Sequence, residues 1–165
     1  DLFIDIFGTS FFYRMDRILN WSNSNGLQLT NGLTAIGSGG MLGHGFNHTP
    51  IYFPEMQTDF IFAVFASNFG FLGTLLLLGL IVFFDLNIIS LANKSHNDND
   101  KLLVGGIIAV LLFQQMQNIG MTLGLLPIMG ITLPFISYGG SSLLSYMILI
   151  GMLFNISNEN LRFKN

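Results

Sequence analysis

Two long stretches without charge constrain this chain more than any other feature. Residues 60–84 contain no Asp, Glu, Lys or Arg, and neither do residues 102–158. A helix rises about 1.5 Å per residue and the hydrocarbon core of a bilayer is about 30 Å thick, so about 20 apolar residues cross it. The second stretch is therefore long enough for two crossings. Charged residues make up 9% of the chain, against about 25% in a soluble domain. We predict an all-α, polytopic membrane protein with about three transmembrane helices.

Residues that weaken helices divide the second stretch near its middle: Pro127, Gly130, Pro134, Gly139 and Gly140. In lipid, such a break persists only where protein or a water-lined cavity satisfies the freed backbone groups. We predict a broken or re-entrant connection near 125–139, between spans at 59–92, 102–124 and 140–156. The first span, treated as one straight helix, would place Asp85 at or beyond the far interface.

The chain divides into two zones, residues 1–58 and the transmembrane region 59–165. Within the first, residues 2–19 mix apolar and charged side chains and predict an amphipathic segment on the membrane surface. Residues 20–54 are rich in Asn, Ser, Gly and Thr and predict an external loop. The N-terminus is neither Met nor a basic signal segment, so we expect a C-terminal fragment of a longer protein.

The basic residues suggest an orientation across the membrane. One side of the predicted topology holds Lys94, Lys101, Arg162 and Lys164, and the other holds Arg14 and Arg17. By the positive-inside rule, residues 93–101 and the C-terminus are cytoplasmic and residues 1–58 are external.

Composition excludes several functions. The formal charge of -3 and the lack of a basic stripe argue against nucleic-acid binding, and the absence of cysteine removes thiolate chemistry. His44 and His48 are four residues apart, but glycines flank the first and Pro50 follows the second, so one helix would not present both to a metal.

Asp59 is the strongest candidate for chemistry, because it lies where the external zone becomes the first span. Partial loss of water at that depth favours the protonated form of a carboxylate, which suits a general base. The alternative is structural: Thr58 or Asp59 would cap the helix. Glu55 is a second candidate, with an ordinary surface carboxylate as its alternative.

Polar residues in the second span form another candidate group. Gln114, Gln117 and Asn118 share one helix face, which Thr122 extends. Such a stripe either hydrogen-bonds neighbouring protein or lines a substrate path. Four serines, Ser137, Ser141, Ser142 and Ser145, straddle the start of the third span, where we expect capping and packing. From the residues alone, a transporter fits as well as an enzyme.

Two motifs then resemble the SEDS family (shape, elongation, division and sporulation) of peptidoglycan glycosyltransferases. The first joins residues 35–46 to Pro54-Glu55-Met56-Gln57-Thr58-Asp59-Phe60. The second contains Asn118, Gly124-Leu125-Leu126-Pro127, Gly130-Ile131, Pro134 and Ser137-Tyr138-Gly139-Gly140-Ser141-Ser142. The similarity covers nearly the whole chain, but only the C-terminal part of a family member. Residues 43–47 look closer to the RodA-type elongation branch than to the FtsW-type division branch.

The resemblance implies polymerisation of lipid II into glycan strands at the outer face of the bacterial cytoplasmic membrane. The essential aspartate of the family matches Asp59, as base toward the acceptor hydroxyl or as a contact for Mg²⁺ or Mn²⁺ beside the pyrophosphate. The residues expected to bind substrate are Glu55, Thr58, Gln117, Asn118 and Ser137. A class B penicillin-binding transpeptidase is the expected partner, and no organic cofactor is expected.

One departure from the family pattern affects this expectation. Family members usually carry an acid shortly after the aspartate motif, where this chain has Ala66-Ser67-Asn68. This departure keeps open the hypothesis of a non-catalytic scaffold for the transpeptidase. A second alternative, a lipid II flippase, is suggested by the broken intramembrane segment and the stripe of Gln114, Gln117 and Asn118. We expect the fragment alone to be inactive.

Overall fold

The regular secondary structure of the described residues is helical. The computed structural model describes residues 26–95 and 97–162. The helices are α1 (Leu27–Ser38), α2 (Ile61–Lys94), α3 (Asp98–Thr122) and α4 (Gly140–Arg162). This confirms the all-α prediction. The predicted amphipathic segment at 2–19 lies outside the described residues.

The three longer helices are long and apolar enough to cross a membrane. They coincide with the predicted spans and differ from them by two to six residues at five of the six ends. The third begins at Gly140 as predicted, and residues 123–139 between α3 and α4 are non-helical. Many large apolar side chains on these helices point outward, among them Leu75, Leu76 and Phe83. An apolar exterior is what helices in contact with lipid require.

Side chains from the three long helices form one core. Ile88 of α2, Val104, Ile107 and Leu111 of α3, and Tyr146, Leu153 and Ile156 of α4 are buried together. The short connection between α2 and α3 brings these helices side by side, and Asn97 caps α3 by accepting a hydrogen bond from the Asn99 amide.

The segment predicted as an external loop, residues 20–54, contains the helix α1, which the sequence did not predict. Leu29, Gly32 and Ala35 recur every three residues and are the buried residues of this helix. A Cβ on Gly32 would lie 3.2 Å from the Phe60 ring, so the glycine lets α1 approach α2 closely. Ala35, Phe53, Phe60 and Ala63 form the core of this contact. Tertiary packing thus stabilises a helix in a segment whose composition is typical of loops.

A break in α2 is the main feature that the sequence did not predict. Gly70 has φ 65° and ψ −165°, which interrupts the helix. The carbonyls of Ser67 and Asn68 accept hydrogen bonds from the amides of His44 and Gly45. In return, the amides of Phe71 and Leu72 donate to carbonyls in the same loop. Backbone groups freed by the break are therefore satisfied within the protein.

The predicted place of Asp85 rested on one straight helix, and the break at Gly70 shows that this assumption was wrong. The part of α2 after the break, residues 71–94, is about 36 Å long and can cross a bilayer by itself. Asp85 lies within this part and is only 6% exposed. Its Oδ1 accepts a hydrogen bond of 3.2 Å from Gln115 Nε2 of α3. The carboxylate is thus packed between two helices, and its predicted place at or beyond the far interface no longer follows, since it assumed one straight helix.

Candidate active site around Asp59

Asp59 lies in a turn just before α2, and its side chain is half-buried. The amides of Thr58, Asp59 and Phe60 all approach the Glu55 carbonyl, at 3.4, 3.2 and 3.2 Å. Glu55 itself has a positive φ of 60°. The N-cap residue of α2 is Phe60, which supplies no side-chain cap. The cap predicted at Thr58 or Asp59 is therefore one or two residues too early, since this turn precedes the helix.

The side chain of Asn118 forms a hydrogen bond with the backbone of Asp59. Its Nδ2 donates to the Asp59 carbonyl at 2.8 Å and to the Ile131 carbonyl at 2.7 Å. Both partners are acceptors, so the orientation of the amide is determined by chemistry. Asn118 is completely buried, and its Oδ1 has no hydrogen-bond partner among the described residues. One side chain of α3 thus joins the Asp59 turn to the connection between α3 and α4.

Ser137 makes a second link between the same two segments. Its Oγ donates to the Thr58 carbonyl at 2.6 Å and accepts from the Leu133 amide at 2.8 Å. Next to it, the Tyr138 amide donates to the Gln57 carbonyl at 2.9 Å. The non-helical connection therefore forms hydrogen bonds with two successive residues, Gln57 and Thr58, of the turn that carries Asp59.

Gly130 lies directly against the Asp59 carboxylate. A Cβ at this position would be 3.1 Å from Asp59 Oδ2, and the φ of Gly130 is 66°. Both observations favour glycine, because a side chain would crowd the carboxylate and strain the backbone. The connection thus forms a wall close to one oxygen of the carboxylate.

Glu55 and Thr58 form a pair at the outer edge of the site. Thr58 Oγ1 donates to Glu55 Oε2 at 2.8 Å. Glu55 is exposed and Thr58 is half-buried. A second carboxylate, which is exposed, therefore belongs to the same turn as Asp59.

The polar stripe of α3 bonds mainly to protein. Gln117 Nε2 donates to the Pro127 carbonyl at 2.9 Å, and Thr122 Oγ1 donates to the carbonyls of Asn118 and Ile119 in its own helix. Gln114 Oε1 is buried without a partner among the described residues. The hydrogen bonds of Gln117 and Asn118 match the first alternative of the sequence analysis, although their acceptors belong to the connection and the Asp59 turn. Substrate binding by these two residues stays a prediction.

Hydrogen bonds join five of the six predicted site residues at the Asp59 turn: Glu55, Thr58, Asp59, Asn118 and Ser137. The sixth, Gln117, bonds to the Pro127 carbonyl, and the other candidates lie elsewhere. His44 and His48 are exposed. Ser142 and Ser145 donate to the carbonyls of Gly139 and Ser141, which is the local bonding expected of them. Ala66, Ser67 and Asn68, which replace the expected acid, are buried at the α2 break, where Asn68 Oδ1 accepts from Thr49.

The resemblance implied that residues 127–140 form the floor of the site, but sequence reasoning did not predict that Gly130 lies against the Asp59 carboxylate or that Asn118 links the Ile131 carbonyl to the Asp59 turn. The glycine and proline cluster indicated an irregular segment, but no signal in the sequence specified which turn it would contact.

No group of three His, Cys, Asp or Glu side chains in the described part of the chain could hold a metal by itself. A single carboxylate at Asp59 still fits Mg²⁺, which commonly takes one or two protein carboxylates and completes its shell with water and substrate phosphate oxygens.

Comparison with known proteins decides the family. The model of the cell cycle protein family FtsW/RodA/SpoVE matches residues 4–162. The chain belongs to this family. It is 42% identical to a probable peptidoglycan glycosyltransferase FtsW of Coxiella burnetii, and the matched region covers 89% of this chain and 43% of the relative. It is 35% identical to the peptidoglycan glycosyltransferase RodA of Treponema pallidum, over 90% of the chain and 37% of the relative. The resemblance noted in the sequence is confirmed, and the three long apolar helices are those of a multi-pass membrane protein.

Two solved structures of the FtsW/RodA/SpoVE family share the fold. One comes from a peptidoglycan synthase complex that coordinates polymerization and crosslinking. It matches with a TM-score of 0.72 and 28% identity, over 90% of this chain and 42% of that one. The other is RodA of Thermus thermophilus, solved as an aspartate-to-alanine mutant, with a TM-score of 0.58 and 36% identity over 74% of this chain and 37% of that one.

The chain spans about two-fifths of the length of the relatives that it matches. Both FtsW and RodA proteins are among them, so the assignment of residues 43–47 to the RodA-type branch stays a prediction.

Proposed function

We propose that this chain carries the catalytic carboxylate of a membrane-embedded peptidoglycan glycosyltransferase that polymerises lipid II. The observation that carries the proposal is the position of Asp59, half-buried in a turn that Asn118 and Ser137 bond to the connection between α3 and α4. Two side chains from separate elements hold the backbone of this turn. Such preorganisation is what a catalytic group requires. The names of the relatives supply the reaction class.

In this mechanism Asp59 acts as the general base. Its carboxylate takes the proton from the 4-hydroxyl of the incoming lipid II as that oxygen attacks the anomeric carbon of the growing strand. The bond from this carbon to the lipid pyrophosphate breaks, and the pyrophosphate leaves with the bonding electrons. A base in this role typically accelerates a reaction by about 10²–10⁴-fold. Gly130 leaves space beside Oδ2, where a bulkier residue would crowd the carboxylate.

The alternative role for Asp59 is to bind a divalent cation instead of acting as the base. Bound Mg²⁺ or Mn²⁺ would neutralise charge on the leaving pyrophosphate. In that role Asp59 would hold the cation, and Glu55, four residues earlier, would be the nearest further carboxylate in the sequence. Asn118 and Ser137 would keep the Asp59 backbone in position.

We further propose that the site opens to the external side of the bacterial cytoplasmic membrane, with residues 93–101 and the C-terminus in the cytoplasm. The excess of lysine and arginine near these segments supports this orientation. The similarity to a peptidoglycan synthase complex supports a class B transpeptidase as the partner.

The decisive experiment is Asp59→Asn in the full-length protein, assayed by polymerisation of purified lipid II. We expect a loss of about 10²–10⁴-fold in rate, because the amide cannot accept the proton. Asp85→Asn is a matched control: the same chemical change is made at a buried aspartate bonded to Gln115, away from the Asp59 turn. It should polymerise at close to the wild-type rate.

Other outcomes separate the alternatives. Wild-type polymerisation by Asp59→Asn would remove this residue from the mechanism. Movement of labelled lipid II across liposomes without chain growth would favour the flippase. Normal growth of cells that rely on Asp59→Asn would favour a scaffold.

A further inference from the structure

The loop at residues 39–46, here called the latched loop, is joined to the break in α2 through its backbone. The amides of His44 and Gly45 donate to the Ser67 and Asn68 carbonyls at 3.0 and 2.9 Å. The amides of Phe71 and Leu72 donate to the Gly40 and Met41 carbonyls at 2.9 and 3.2 Å. Four backbone hydrogen bonds, two in each direction, therefore determine where this loop lies.

The contact is too close for side chains. A Cβ on Gly43 would overlap the Asn68 carbonyl, and a Cβ on Gly70 would overlap the Gly43 amide. Backbone packs directly against backbone, so the latched loop must lie at the same depth as residues 67–72 of α2. Those residues lie at the break and at the start of the part of α2, residues 71–94, that can cross a bilayer by itself.

The latched loop turns its large apolar side chains outward. Met41, Leu42 and Phe46 are 65%, 78% and 81% exposed. Three exposed apolar residues of the adjacent part of α2 continue this surface: Phe69, Phe71 and Leu72. The rings of Phe46 and Phe69 are 6.4 Å apart. The exposed surface of the loop is thus continuous with the apolar exterior of a membrane helix.

Charge patterning indicates what covers this surface. Residues 18–54 contain no Asp, Glu, Lys or Arg, although the segment includes many polar residues. A loop of this length in water normally carries charge, because about a quarter of the residues in soluble domains are charged. A contiguous exposed apolar surface marks a site of contact with a membrane or with another protein, and the lack of charge around this one favours contact with acyl chains.

We propose that the latched loop is a membrane-inserted element, with Met41, Leu42 and Phe46 in contact with the acyl chains of bilayer lipids near the outer boundary. The break in α2 makes this insertion feasible, since it supplies hydrogen-bond partners for loop backbone that lipid cannot satisfy. The loop would hold the external end of α2, and with it the segment leading to Asp59, against the bilayer.

The absence of cysteine makes a direct test simple. Leu42→Cys and Phe46→Cys, each labelled with a fluorophore, are reconstituted in liposomes that contain phospholipid with a nitroxide near the top of its acyl chain. Leu76→Cys, on an exposed apolar position of α2, is the lipid-facing control. Asn99→Cys, exposed at the start of α3, is the water-facing control. Iodide in the buffer measures access from water. Any native cysteines elsewhere in the full-length protein are replaced first.

We expect the nitroxide lipid to quench the labels at Leu42 and Phe46 within about twofold of the label at Leu76, because inserted apolar faces lie about 5–10 Å into the boundary. Iodide should quench strongly only at Asn99. Quenching by iodide and not by lipid at both loop positions would overturn the proposal. Protection from both quenchers would also overturn it, since another protein surface would then cover the loop.

Discussion

The bond pattern of Asn118 leads to a prediction that separates positioning from chemistry. Asn118→Leu keeps the branched shape and the number of heavy atoms of the side chain and removes both donors, to the Asp59 carbonyl and to the Ile131 carbonyl. The Asp59 turn then loses its link to α3. The carboxylate remains present but is held less firmly, so the effect on polymerisation should exceed the effect on folding.

The magnitude follows from two lost hydrogen bonds. Each is worth about 0.5–1.5 kcal/mol in soluble proteins, and about 0.6 kcal/mol on average in membranes. Leucine also removes Oδ1, which is buried without a partner among the described residues, so part of the loss is recovered. We expect destabilisation of about 1–2 kcal/mol. A shift of the catalytic group by 1 Å can cost about 10²-fold in rate, and we therefore expect a decrease of about 10–100-fold.

The assay is lipid II polymerisation by the full-length protein at fixed enzyme concentration, with thermal unfolding in detergent measured on the same samples. Thr122→Val is the matched control, because Thr122 is equally buried in α3 but bonds only to carbonyls of its own helix. It should keep polymerisation within about threefold of wild type, as expected for the loss of about 0.6 kcal/mol.

Wild-type polymerisation by Asn118→Leu would refute the reasoning, because the Asp59 turn would then be held without this amide. An equal loss in Thr122→Val would also refute it, since the effect would then reflect general damage to α3.

Two further predictions concern the break in α2 and the buried aspartate. Gly70→Ala should lower the free energy of unfolding by about 2–3 kcal/mol, because its Cβ would overlap the latched loop and its φ is positive. The measurement is the unfolding temperature, and an unchanged value would contradict the close backbone contact. Asp85→Leu should destabilise the protein by about 1–3 kcal/mol, because Gln115 loses its acceptor, whereas Asp85→Asn keeps an acceptor oxygen. Equal unfolding temperatures for the two variants would show that this hydrogen bond contributes little.

Hydrophobicity and charge alone determined the number and approximate place of the long helices. A bilayer requires about 20 apolar residues for a crossing, so the uncharged stretches specified three helices without any knowledge of packing. The Pro and Gly cluster likewise specified a non-helical connection, because proline cannot donate the helical hydrogen bond. Asp59 could be singled out because an acid at the junction of loop and span is chemically unusual.

The tertiary structure decided which residues meet. Helix α1 exists because Leu29, Gly32 and Ala35 pack against α2, and the composition of its segment does not show this. The break at Gly70 depends on hydrogen bonds from a loop that lies more than 20 residues earlier in the chain. Asn118 and Ser137 act on the Asp59 turn across 59 and 79 residues of sequence. Such contacts arise when separate elements satisfy one another's buried polar groups, and that requirement can be evaluated only once the chain is folded.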